Sequence, residues 1–110
     1  MAMNPTTQVW TIANGATVSD SIEPASNELV AAEFPAALTG TSVTFQVSQD
    51  DSTFVVLYWE GVLVQFTVGV DRGLSWDPAK FAPWRYVKIV SGGAEGAERK
   101  IQPLFRNYRG

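Results

Sequence analysis

The chain has 110 residues, 45% of them hydrophobic, with 4 Trp, 3 Tyr and 6 Phe, which is the size and apolar content of one domain with a core of its own. It contains neither cysteine nor histidine, which excludes disulfide staples, thiolate or imidazole zinc sites, cysteine proteases and Ser-His-Asp hydrolases. A net charge of -3 argues against a nucleic-acid module with a dominant basic surface.

The opening Met1 to Thr7 has no basic n-region and no apolar h-region, so it reads as a short polar arm and not as a signal peptide. No later apolar run approaches the ~20 residues needed to span a bilayer, and the chain is expected to be soluble. Gln8 to Ile12, rich in β-branched and aromatic residues, predicts a strand that ends at Asn14-Gly15, a dipeptide suited to a tight turn. Thr17 to Ile22 predicts a second strand stopped by Pro24, and Glu28 to Phe34 a third stopped by Pro35. Pro35 to Gly40 has room for one helical turn, closed by Gly40.

Ser42 to Ser48 carries the clearest pattern: Val43, Phe45 and Val47 alternate with Ser42, Thr44, Gln46 and Ser48, the mark of a half-buried strand. After turn chemistry at Gln49-Asp50-Asp51-Ser52, Thr53 to Trp59 reads as a strand apolar on both faces. Glu60-Gly61 turns the chain, and Val62, Val64, Phe66 and Val68 form the core face of the next strand, alternating with Leu63, Gln65 and Thr67. Gly73 to Trp76 is a short strand. Asp77-Pro78-Ala79-Lys80-Phe81 places an N-cap residue before Pro at the first helical position and predicts one helical turn, broken by Pro83. Trp84 to Ser91 is a strand, Gly92 to Ala97 a flexible loop, and Glu98 to Phe105 the last strand, with Pro103 placing it at an edge or bulge. The sum is an all-β, jelly-roll-like antiparallel sandwich spanning residues 1–110, with eight or nine short strands and one or two short helical turns.

Charge is unevenly spread. Residues 1–71 hold eight acids and no base, whereas 72–110 hold all eight bases and three acids. In a sandwich whose first and last strands are neighbours, this asymmetry predicts opposite charges paired across strands or between subunits; a DNA-binding tail built on Arg99, Lys100, Arg106 and Arg109 is the weaker reading.

Catalysis without His or Cys would rest on carboxylates, and these are dispersed: Glu23, Glu28 and Glu33 flank strands, Asp50 and Asp51 sit at a hairpin tip, and Asp77 reads as a helix cap. No catalytic set, no cofactor site and no metal site is expected, since two adjacent aspartates are too few oxygens for Ca²⁺ and suit a turn. Trp59, Trp76 and Trp84 are candidates for a sugar-stacking platform, with core packing as the competing use. The doubly apolar strand Thr53 to Trp59 needs a cover on its second face. Either a partner supplies it, placing Val55, Leu57 and Trp59 at an interface, or the Pro35 to Gly40 loop or the Asp77 to Ala82 turn does so within the chain. Arg106, Tyr108 and Arg109 of the short basic tail, 106–110, are further interface candidates.

Two phrases, Phe45 to Phe54 and Trp84 to Val90, resemble galactose-binding-like and discoidin-like jelly rolls, although Gln49-Asp50-Asp51 departs from the Asp-Gly expected in that turn. A second resemblance is to small virion proteins of tailed bacteriophages, carried by Thr11 to Ser19, Phe34 to Gly40 and Leu74 to Ala82. It implies a non-enzymatic structural protein of the phage particle, such as a capsid decoration or cement protein or another head component. Such a protein is made in the host cytoplasm, forms a homo-oligomer, with a trimer favoured, and contacts the major capsid protein, with no nucleic acid or membrane partner. The alternative implied is a carbohydrate-binding module, or a tail or neck accessory protein that recognises host glycans through the tryptophans.

Overall fold

The computed structural model describes residues 8–25 and 27–107; the predicted arm, 1–7, and the candidates Tyr108 and Arg109 lie outside them. Ten strands are present among these residues: β1 (Trp10–Ile12), β2 (Asn27–Glu33), β3 (Ser42–Ser48), β4 (Val55–Val56), β5 (Tyr58–Trp59), β6 (Val62–Leu63), β7 (Phe66–Thr67), β8 (Gly73–Ser75), β9 (Tyr86–Ser91) and β10 (Arg99–Asn107). One sheet runs β1-β10-β2-β8. In the other, β3 pairs β9 along one side, while β4 and β7 share its opposite side. β5 and β6 form a separate two-stranded ribbon. All the pairings are antiparallel, and the architecture is a β-sandwich.

The alternation along β3 fixes its register. Val43, Phe45 and Val47 are buried and face the β1-β10-β2-β8 sheet across a core that includes Trp10, Ile12, Leu29 and Ile101. Phe45 sits at the aromatic centre of this core, with ring centroids of Trp10, Trp76 and Phe81 at 6.0, 5.5 and 4.9 Å. The Trp10 indole N–H donates across the sandwich to the Val87 carbonyl at 2.9 Å, so the polar end of the ring is satisfied where the ring is fully buried.

Three expected elements differ. Thr17 to Ile22 is not a strand but a crossing segment: it bridges to β9 at Val18↔Val90 and Ile22↔Val87, and Asp20 N–H also reaches the Thr11 carbonyl of β1. It closes one side of the sandwich by bonding to both layers. The run from Thr53 to Trp59 is broken at Leu57, whose N–H donates to the Phe45 carbonyl at 2.9 Å; β4 pairs β3 for two residues only, and β5 leaves to pair β6. Val62, expected in the core, is 68% exposed because it belongs to that outlying ribbon, whereas Val64 and Val68 are buried as expected.

The Asn14-Gly15 turn forms as predicted, with Gly15 at φ +83° and an Ala16 N–H to Ala13 carbonyl bond. A 3₁₀ turn spans Pro78–Lys80, capped by Asp77, whose carboxylate accepts from the Ala79 N–H; no helix forms at Pro35 to Gly40. At Pro103 the β10 strand has lost its β1 partner, and its register slips between Leu104 and Phe105, so the missing N–H of proline falls where no ladder needs it.

Candidate functional site

The three candidate tryptophans do not form one platform. Trp76 follows β8 directly, and the β2-β8 pairing carries its side chain under the sheet. Its indole is 9% exposed, donates its N–H to the Leu29 carbonyl at 2.9 Å and stacks on Phe66 with centroids 5.7 Å apart. A ring enclosed in this way offers no face to a ligand. Trp59 and Trp84 remain half-buried, each packed against the core from outside, in two separate grooves.

The Trp59 groove is built by the β5-β6 ribbon. Its two-residue turn places Glu60 and Gly61 at φ +52° and +81°, the hairpin geometry that matches the twist of paired strands, and so sets Trp59 opposite Val62. The groove encloses about 290 Å³ and is lined by Trp59, Val62 and Phe66 on its apolar side, with Glu60, Gln65 and Lys80 as polar groups. Lys80 comes from the 3₁₀ turn, and its Nζ lies 3.8 Å from the Trp59 ring centroid, a cation-π contact. Among the described residues, no carboxylate lies within 4.0 Å of that ammonium.

On the other side of the same turn, Pro78, Phe81 and Trp84 line a second groove of about 170 Å³, facing Pro24, Asn27 and Glu28. Ala25 at its rim holds φ +59°, a left-handed conformation that costs a non-glycine residue on the order of 1 kcal/mol. The Glu28 carboxylate is already engaged, accepting from Arg106 Nε at 2.9 Å.

That pair and Glu23–Arg85 join the acid-rich first part of the chain to its base-rich end within one molecule. Val55 is 51% exposed, but Leu57 is 2% exposed and packs in the core, a correction that follows from the break in the strand. Arg106 is paired with Glu28. Within the chain, Lys88 lies 4.2 Å from the Phe54 ring and Lys80 lies 3.8 Å from that of Trp59, while Val56 and Tyr58 remain 50% and 59% exposed. The Asp77 to Ala82 turn therefore supplies part of the cover.

Asp50 and Asp51 take turn roles. Asp50 Oδ1 accepts from the Ser52 and Thr53 N–H groups, each at 3.0 Å, and from the Ser48 hydroxyl at 2.9 Å; these donors hold its carboxyl below the usual aspartate range. Asp51 Oδ1 accepts from the Ser21 hydroxyl at 2.6 Å. Glu95 is the more perturbed carboxylate. Burial raises its pKa and is the largest single influence, yet donors from the Ser91 hydroxyl, Thr39 N–H, Arg99 and Gly40 N–H together outweigh it and bring the group down to about 2. Its oxygens are fully employed in holding loops together, which is a structural task.

Sequence reading found Trp59 but not its companions. Lys80 lies 21 positions away in an exposed-looking turn, and Gln65 and Phe66 read as ordinary members of a continuous strand. The available signal was the Asp77-Pro78 cap, which fixes where the turn containing Lys80 begins.

No protein-family model and no curated protein matches the chain. Among solved structures, it is similar to the module CBM32-1 from a family 31 glycoside hydrolase of Clostridium perfringens, at 14% identity and a TM-score of 0.39, covering 90% of this chain and 78% of that one. It is also similar to chitosan-binding module 1 from a chitosanase/glucanase of Paenibacillus sp. IK-5, at 19% identity and a TM-score of 0.38, covering 90% and 77%. These comparisons correct the virion expectation. The similar structures are carbohydrate-binding modules, and nothing beyond the sequence phrases themselves supports a capsid, cement or head protein of a phage.

Proposed function

We propose that the protein is a non-catalytic carbohydrate-binding module that holds a glycan on the indole of Trp59. The observation that supports this reading is the make-up of one groove: a half-buried indole packed against the core, with Gln65, Glu60 and Lys80 among the other residues that line it. The C–H face of a pyranose is apolar and covers an aromatic ring, while its hydroxyls require hydrogen-bond partners at the ring's edge. The groove holds both kinds of group. Trp84, in the smaller groove where the carboxylate is already paired, is the secondary contact.

A glycan array probed with the whole chain tests this. Array hits whose affinity falls at least tenfold in Trp59→Ala, with the melting temperature little changed, support the reading. A blank array, or hits indifferent to Trp59→Ala, overturns it.

A further inference from the structure

We infer that the Trp59 groove selects a singly charged acidic sugar, a uronic-acid unit within a polysaccharide, and that Lys80 is the residue that makes the selection. The inference rests on the glycan-binding reading of this groove and deepens it.

Trp59 is half-buried and packed against the core, and the Lys80 ammonium stands 3.8 Å from its ring centroid. Any sugar that stacks there must share the space with that ammonium or displace it. A neutral sugar that covers the site strips water from a cation and returns no charge, a loss that hydroxyl contacts offset only in part. A carboxylate on the sugar returns a charge-assisted hydrogen bond, shorter and stronger than a neutral one. Lys80 is free to make it, because no acid among the described residues lies within 4.0 Å of its Nζ. Arg85, Arg99, Lys100 and Arg106 each have an acidic partner. The 3₁₀ turn capped by Asp77 fixes the backbone from which Lys80 reaches.

Glu60 sets the upper limit on charge. It lines the same groove from the tip of the β5-β6 turn, so one negative group can sit against Lys80, but a second meets like charge. That weighs against a densely sulfated polymer and favours a carboxylate borne once per sugar. Removing the Glu60 charge is accordingly expected to tighten anion binding.

Isothermal titration of the whole chain with tetragalacturonate and with neutral galactotetraose tests the inference, with folding of each variant checked by thermal melt. The expected result is at least tenfold tighter binding of the uronate, weakened by added salt, with the preference lost in Lys80→Met and enlarged in Glu60→Gln. Equal affinity for the two sugars, or a preference that survives Lys80→Met, overturns the inference and leaves the glycan reading intact. Binding of neither sugar by a protein whose array hits depend on Trp59 also overturns it. An array without Trp59-dependent hits overturns the glycan reading itself.

Discussion

Glu95 and Arg99 meet through a 2.9 Å contact between Oε1 and Nε, with the glutamate side chain wholly buried. The same carboxylate accepts from Thr39 and Gly40 N–H and from the Ser91 hydroxyl, so it ties the loop after β9 to the turn before β3. The folded-state pKa of about 2 lies below the ordinary 4.5. Between these values the unfolded chain binds the proton more readily, so the stabilisation is complete above about pH 4.5 and is lost as pH falls toward 2. A shift of this size corresponds to about 3 kcal/mol. Urea titrations at pH 7, 4 and 2.5 are expected to show this decline, and Glu95→Gln, which leaves Arg99 unpaired, is expected to be destabilised at pH 7 and to lose most of the slope. The lowered Asp50 carboxyl works in the same direction, so a residual slope in the variant is assigned to it; an undiminished slope contradicts the assignment to Glu95.

Phe45 and Gln46 are neighbours on opposite faces of β3, one buried among aromatic rings and the other half-buried outside. Phe45→Ala is expected to cost about 3 to 5 kcal/mol, the transfer and cavity terms of a lost core ring. Gln46→Ala is expected to stay within about 0.5 kcal/mol, as surface substitutions do. Thermal melts of the two compare them directly, and equal midpoints would show the face assignment to be wrong.

Where side-chain pattern is local, the sequence was legible. The strict alternation from Ser42 to Ser48, the Asn14-Gly15 turn and the Asp77-Pro78 cap each state their geometry within a few residues, and each forms. What failed was non-local. Thr53 to Trp59 is apolar on both faces, and nothing in it says that Leu57 will return to Phe45 while Tyr58 and Trp59 join a different partner. Thr17 to Ile22 has strand composition but is pulled between β1 and β9. Gly92 to Ala97 reads as a flexible loop because its glycines are visible and the hydrogen-bond partners awaiting Glu95 are not: Gly15 N–H donates to the Glu95 carbonyl at 2.7 Å, and Glu95 N–H donates to the Ala16 carbonyl at 3.0 Å. The Trp59 groove joins residues from the β5-β6 ribbon and the 3₁₀ turn, and such a meeting is set by tertiary packing alone.

Two glycines separate backbone conformation from steric room. Gly15 needs φ +83° but has open space where a Cβ would go, whereas a Cβ on Gly40 would overlap the Ser91 hydroxyl and approach the Glu95 carboxylate. Gly15→Ala is therefore expected to cost about 1 to 2 kcal/mol, the penalty of the left-handed region alone. Gly40→Ala is expected to cost more, and to raise the Glu95 pKa by spreading its donors. Chemical denaturation gives the first comparison, and the acid limb of the stability curve gives the second; an acid limb unmoved in Gly40→Ala counts against the coupling.

Trp59 and Trp76 have the same side chain and are expected to respond in opposite ways to truncation. Trp76 fills the core beside Phe45, Phe66 and Phe81, and its N–H satisfies the Leu29 carbonyl. Trp76→Ala removes the ring, opens a cavity and leaves that carbonyl without its partner, at a cost of about 3 to 5 kcal/mol. Trp59 buries only part of its ring, so Trp59→Ala forfeits roughly half the transfer energy of a large apolar side chain, about 1 kcal/mol, together with a cation-π contact of about 0.5 kcal/mol. The stability experiment therefore orders the pair Trp76 before Trp59, and the glycan experiment orders them the other way among variants that remain folded. Acrylamide quenching gives a third reading: the emission lost in Trp59→Ala is expected to be the accessible fraction, and that lost in the conservative variant Trp76→Phe the protected one. Equal quenching of both indoles would place Trp59 in the core, remove the open ring face and end the case for a ligand groove.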